Sequence, residues 1–117
     1  MISGYQSALS GLSAYTTRLQ SNANNIANIQ SEGFKKTRVT LSDVQPNGVR
    51  ANVEKIDTPG NTVLEENGKG MEIVEQSNVE LSEELPQSML NSTFYKANLK
   101  TIEVIDETTQ SLLNIKA

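Results

Sequence analysis

The 117-residue sequence contains no cysteine and no histidine. Without cysteine there can be no disulfide and no thiolate metal site. Without histidine the chain lacks the commonest metal ligand and the side chain most used for proton transfer near neutral pH. Aromatic residues make up 4% and hydrophobic residues 36%, which is thin for a compact globule and normal for long helices that rely on partners. No run approaches the roughly 18 apolar residues of a membrane span. Met1-Ile2-Ser3-Gly4-Tyr5 has neither a basic stretch nor an apolar one, so no cleaved secretory signal is expected and any export must be directed otherwise. There is no glycine-rich phosphate loop, no Ser/His/Asp set and no metal-ligand spacing. Adjacent helical residues point in different directions, so the pair Glu83-Glu84 reads as a solvated helix start rather than a proton-sharing dyad. No catalytic residue, cofactor or metal is therefore expected.

Charge is unevenly placed. Residues 1–55 carry six basic and three acidic side chains, and residues 56–117 carry four basic and eleven acidic, for a total of -4. A positive front half and a negative back half can attract within one chain or between stacked copies, and the mild acidic total argues against a nucleic-acid binder. Before Glu32 the only charged side chain is Arg18, a poor composition for a permanently wet helix.

Ile2, Tyr5, Leu9, Leu12, Thr16, Leu19, Ala23 and Ile26 alternate at spacings of three and four. This predicts a helix over 2–30 with a heptad seam, its Asn, Ser and Thr faces left for neighbours. Gly4 and Gly11 weaken it by about 1 kcal/mol each relative to Ala. Gly33 suits a left-handed exit from the helix. Residues 34–77 lose the helical period. Short strands are expected near Val39–Val44, Val49–Val53, Val63-Leu64 and Met71–Val74, with turns at Pro46-Asn47-Gly48, Thr58–Asn61 and Asn67-Gly68. From 78 the helical pattern returns, with Ser82 as candidate N-cap and Pro86 forcing either a kink or a start near Leu85. One strip of this helix carries Leu90, Phe94, Ala97, Thr101 and Val104. A neighbouring strip carries Ile102, Ile105, Thr109 and Leu112. The expectation is a single, mainly α domain over 1–117. Its parts are an N-terminal helix and Asn-rich motif (1–33), a β-rich middle (34–77) and a C-terminal helix (78–117). The helices 2–30 and 86–114 should pair antiparallel, with Leu9, Leu12, Leu19 and Ile26 facing Phe94, Ile102, Ile105 and Leu112.

Four Asn in seven residues, from Asn22 to Asn28, is unusual inside a helix because Asn is a mediocre helix former. Asn24-Asn25-Ile26-Ala27-Asn28, followed by Gly33-Phe34, resembles the signature of the flagellar rod, hook and hook-associated proteins. So does Ser77-Asn78-Val79-Glu80-Leu81-Ser82-Glu83-Glu84-Leu85, and so do Tyr95-Lys96-Ala97-Asn98 and Leu112-Leu113-Asn114-Ile115. Pro86 departs from the β-branched or Met residue usual after the Glu83-Glu84-Leu85 triad. Gly48-Val49-Arg50-Ala51 is similar to the small proximal-rod members. The resemblance implies a structural axial subunit with its terminal helices packed into a tube. Its partners would be itself, other rod and hook subunits and the flagellar type III export machinery, and it would lie in the periplasmic rod. It implies no nucleic acid and no membrane span. It also marks Asn24, Asn25, Ile26, Ala27, Asn28, Gly33, Phe34, Asn78, Glu83, Glu84, Tyr95, Ala97, Asn98, Leu112, Leu113 and Asn114 as assembly or family-motif residues. The rival reading is a soluble helical adaptor or export chaperone, which would have to hold its fold alone and display a groove.

Overall fold

The computed structural model describes residues 2–116. Helix α1 spans Ile2–Ala27 and helix α2 spans Leu81–Lys116, with strands β1 (Thr37–Val44), β2 (Gly48–Lys55), β3 (Thr62–Asn67) and β4 (Gly70–Glu75) between them. Among the described residues β1 pairs only with β2, and β3 only with β4, as two antiparallel hairpins. The fold class is as the sequence implies: two long helices around a β-rich middle.

The helices run antiparallel. Gly4 lies by Ile105, Gly11 by Asn98, and the Tyr15 ring stacks on Phe94 at 5.3 Å. The seam, however, is not the leucine seam. On α1 the residues turned to α2 or into the interior are Gly4, Ala8, Gly11, Tyr15, Arg18, Asn22 and Asn25. On α2 they are Glu84, Ser88, Asn91, Tyr95, Asn98, Ile102 and Ile105. Both sets keep the alternation of three and four, and the α1 set sits one residue before the expected stripe. One residue is about 100° of turn. The expected core is corrected accordingly. Ile102 and Ile105 stay half-buried on the seam, and Phe94 meets Tyr15 at its edge. Leu12, Leu19 and Ile26 are half-buried on a flank, and Leu9 and Leu112 are exposed. Small residues take the seam because they let the backbones approach closely. A Cβ on Gly11 would collide with the Asn98 carboxamide.

Hairpin β1–β2 packs along α1. Its inward residues alternate, with Val39 buried and Leu41, Val49 and Ala51 half-buried. Ala14 of α1 is buried. Ser10 and Ser21 bond the hairpin's backbone: the Val49 N–H donates to Ser10 Oγ at 3.2 Å, and Ser21 Oγ donates to the Thr37 carbonyl at 3.2 Å. The side of α1 that carries Ser10 and Ser21 is therefore covered within the chain, while Ser3 and Ser13 stay exposed.

Two helix ends differ from expectation. α1 closes at Ala27, not residue 30. There the Asn28 side chain donates to the Asn24 carbonyl at 2.9 Å and its Oδ1 accepts from Ser31, a side-chain cap on an orphan carbonyl. α2 begins at Leu81, so Ser82 is already helical and Pro86 lies inside the helix. The Glu80 carbonyl takes the N–H groups of Glu83 and Glu84, each at 3.1 Å. Gly33 has φ of 65°, the expected left-handed exit.

Candidate functional site

One residue of each terminal motif, Asn25 and Glu84, meets the other at one place. Asn25 is 1% exposed and turns its carboxamide to Thr37 of β1: Nδ2 donates to the Thr37 carbonyl at 2.9 Å, and Oδ1 accepts the Thr37 N–H at 3.0 Å. A side chain thereby completes a strand edge as another strand would. Asn25 Nδ2 also donates to Glu84 Oε1 at 3.2 Å, and Asn22 Nδ2 donates to Glu84 Oε2 at 2.8 Å. Asn91 Nδ2 in turn donates to Asn22 Oδ1 at 2.8 Å. Asn22, Asn25, Glu84 and Asn91 are all buried, and among the described residues no buried side-chain nitrogen or oxygen lacks a partner. Glu84 was expected to be a solvated helix-start residue. It is instead the buried acceptor that ties α1 to α2, because Glu83 beside it takes the wet direction and pairs with Lys36 at 3.3 Å.

A second clamp lies below the first. Asn78 Oδ1 accepts the Lys36 N–H at 2.7 Å, and Asn78 Nδ2 donates to the carbonyls of Ile56 and Thr58 at 2.8 and 2.9 Å. This seals the open end of β1–β2. Gly33 donates its N–H to the Glu75 carbonyl at 2.9 Å. The Glu75 carboxylate accepts from the Lys35 ammonium and from the Gly60 N–H. These bonds hold its carboxyl below the usual carboxylate range, with the Lys35 hydrogen bond the largest cause.

The remaining motif residues are dispersed. Asn24 and Asn28 close the helix end. Ile26 and Phe34 are half-buried, Ala27 is exposed, Tyr95 lies on the seam, and Ala97 is exposed beside it. Asn98 bonds the Phe94 carbonyl at 2.9 Å and lies over Gly11. Leu112, Leu113 and Asn114 are exposed past the level of Gly4 and Ile105. Asn91 and Gly11 did not stand out as site residues in the sequence, and Asn22 stood out only as part of the Asn-rich run. The signal was present as small and amide residues keeping the alternation of three and four, one step off the leucines.

The leucine stripe defines the site's other half. In antiparallel helices the residue after each seam position turns to the same side. Leu9, Leu12, Leu19 and Ile26 of α1 thus share a flank with Leu85, Met89 and Leu99 of α2. Tyr5, Leu9 and Asp106 line one groove there. The opposite flank is where Ser10, Leu41, Val49 and Phe94 line the seat of β1–β2. The leucine flank is open: Leu9 is 41% and Met89 73% exposed. No helix of the described residues is long and apolar enough to cross a membrane.

Residues 72–115 match the family described as flagellar basal body rod FlgEFG protein C-terminal. The flagellar hook protein FlgE of Borreliella burgdorferi is 34% identical over 73 residues, covering 62% of this chain and 16% of that protein. The flagellar basal-body rod protein FlgG of Bacillus subtilis is 43% identical over 44 residues, covering 38% of this chain and 17% of that protein. The chain thus spans less than a fifth of the length of these curated relatives. The matched segment carries Asn78, Glu84, Asn91 and the whole α2 seam, the groups that lock the two terminal helices together, and these matches support a protein of the flagellar basal-body rod and hook family.

Proposed function

We propose that the chain is a structural, non-catalytic subunit of the flagellar basal-body rod. It is exported through the flagellar type III apparatus and assembles with itself and with other axial subunits through its two helices. The open leucine flank carries this reading. The chain exposes 8232 Å², whereas a compact monomer of its mass exposes about 6,300 Å². The difference is of the order of a standard protein interface. The radius of gyration is 20.8 Å, against about 13 Å for a compact domain of this length. Among the described residues the buried apolar side chains are Ala8, Ala14, Val39 and Val79, a small core, so association supplies the burial that the monomer lacks. The Asn–Glu lock sets the angle of the helix pair, and the flank beside it supplies the contact.

The test is Leu9→Asp combined with Leu99→Asp. Both positions are exposed, so the isolated chain should keep its helicity by circular dichroism. Incorporation into basal bodies and motility should both fail. Normal motility from this variant would overturn the role.

A further inference from the structure

Hairpin β3–β4 plays no part in the packing of the helices. Among the described residues it touches neither helix nor β1–β2. It is held at its base by Glu75, through Gly33, Gly60 and Lys35, and by the Gln76 N–H on the Asn61 carbonyl at 2.7 Å. Its register sets Leu64 opposite Ile73 and Glu66 opposite Met71. Leu64, Met71 and Ile73 therefore share one face, at 61%, 65% and 69% exposure. A two-stranded hairpin is marginal by itself in water, and three large apolar side chains left together in solvent form a patch whose burial would be favourable. The hairpin is also acidic, and Glu66 shares the face of Leu64, Met71 and Ile73. Between Thr62 and Val74 stand Glu65, Glu66 and Glu72 against Lys69 alone, and Glu65 directly faces Glu72.

We propose that β3–β4 is an arm that docks on a second copy of the chain, laying Leu64, Met71 and Ile73 on the open flank between Leu85 and Leu99. The proposal rests on the assembly reading above and names one of its contacts. The spacings match: Leu64, Ile73 and Met71 span two same-face rungs, about 7 Å of strand, and Leu85 to Met89 is about 6 Å of helix. The chemistry matches, since Leu85, Met89 and Leu99 lie beside Leu12, Leu19 and Ile26. The charges match as well. Lys96 is the one charged side chain on that stretch of flank, and it makes no ion pair or hydrogen bond among the described residues. It meets a net negative arm. The arm's apolar face is far smaller than the roughly 1,000 Å² of a stable complex, so the contact is weak singly and gains strength by repetition along a polymer.

The absence of cysteine makes the test clean. Purified full-length chains carrying Ile73→Cys and Met89→Cys are mixed at high concentration and oxidised. The expected result is a mixed disulfide dimer in several-fold excess over dimers of either variant alone and over the pairing of Ile73→Cys with Asn52→Cys, which lies on the outer face of β1–β2. Adding Leu64→Asp to the Ile73→Cys chain should abolish that excess. No excess of the mixed dimer, or Ile73→Cys joining chiefly to itself, would overturn the arm. Association that persists unchanged in a Leu64→Asp chain would sink the arm and leave the assembly reading intact. Assembly that survives Leu9→Asp with Leu99→Asp would instead sink that reading.

Discussion

Asn25 turns its carboxamide to Thr37 as a neighbouring strand turns its backbone, and it is fully buried while doing so. Asn25→Ala should strand the Thr37 N–H and leave one Glu84 oxygen short of a donor. An unsatisfied buried polar group costs about 1–3 kcal/mol, so the urea midpoint should fall clearly. At Glu84 both oxygens accept from amide nitrogens. Glu84→Gln would set an NH₂ donor against an NH₂ donor and should destabilise the chain. Glu83→Gln, one residue away and exposed, should change stability by less than about 0.5 kcal/mol. Equal midpoints for the two variants would remove the lock from the account. At Gly33 a Cβ would meet no neighbour within 4 Å, so only the positive φ resists substitution. Gly33→Val should cost about 1–2 kcal/mol, the left-handed penalty, and Gly33→Asn should cost less.

Between the two helices, closeness is limited by Gly11 and Asn98. Gly11→Leu should push α1 from α2 and lower helicity, although leucine is the better helix former. A gain in thermal stability from that variant would contradict the small-residue seam. The base of β3–β4 should respond to acid. The Glu75 carboxyl is held low in the folded chain, so its contribution is present above the ordinary carboxylate range and lost as pH falls through the folded value. The protection of the Gly33 and Gly60 amides, taken relative to the intrinsic exchange rate at each pH, should fall at acid pH while that of the α1–α2 seam is kept. In Lys35→Met, which removes the largest cause, that acid response should shrink. The strands and turns of the middle were legible from alternation and turn residues. The direction that α1 faces was not. Apolar periodicity locates an apolar stripe without saying whether this chain or another covers it.

In the whole molecule the axes extend 80 × 23 × 20 Å, the shape of a strut rather than a globule. Leu12→Asp distinguishes the two faces of α1. On the sequence reading it would place a charge in the helix seam and cost several kcal/mol. Half-buried on the open flank, it should change the stability of the isolated chain by about 1 kcal/mol or less. Its larger effect should be on association, measured by sedimentation of the concentrated chain. A collapse of monomer stability would return Leu12 to the seam.

The sequence by itself determined the order of helix, four short strands and helix, the resemblance to rod and hook proteins in the Asn-rich and Ser77–Leu85 segments, and the left-handed exit at Gly33. These are local matters of period, turn chemistry and spacing. Tertiary structure decided which stripe of each helix faces the other. It also decided that Glu84 rather than Glu83 goes inside, and that Asn22, Asn25, Glu84 and Asn91 form one network from residues more than fifty positions apart. The physical reason is competition for a single narrow seam. Leucines would hold the backbones apart and leave four amide and carboxylate groups to be satisfied elsewhere. Gly4, Ala8 and Gly11 let the helices close while Asn22, Asn25, Glu84 and Asn91 satisfy one another, and the leucines are turned out to the flank.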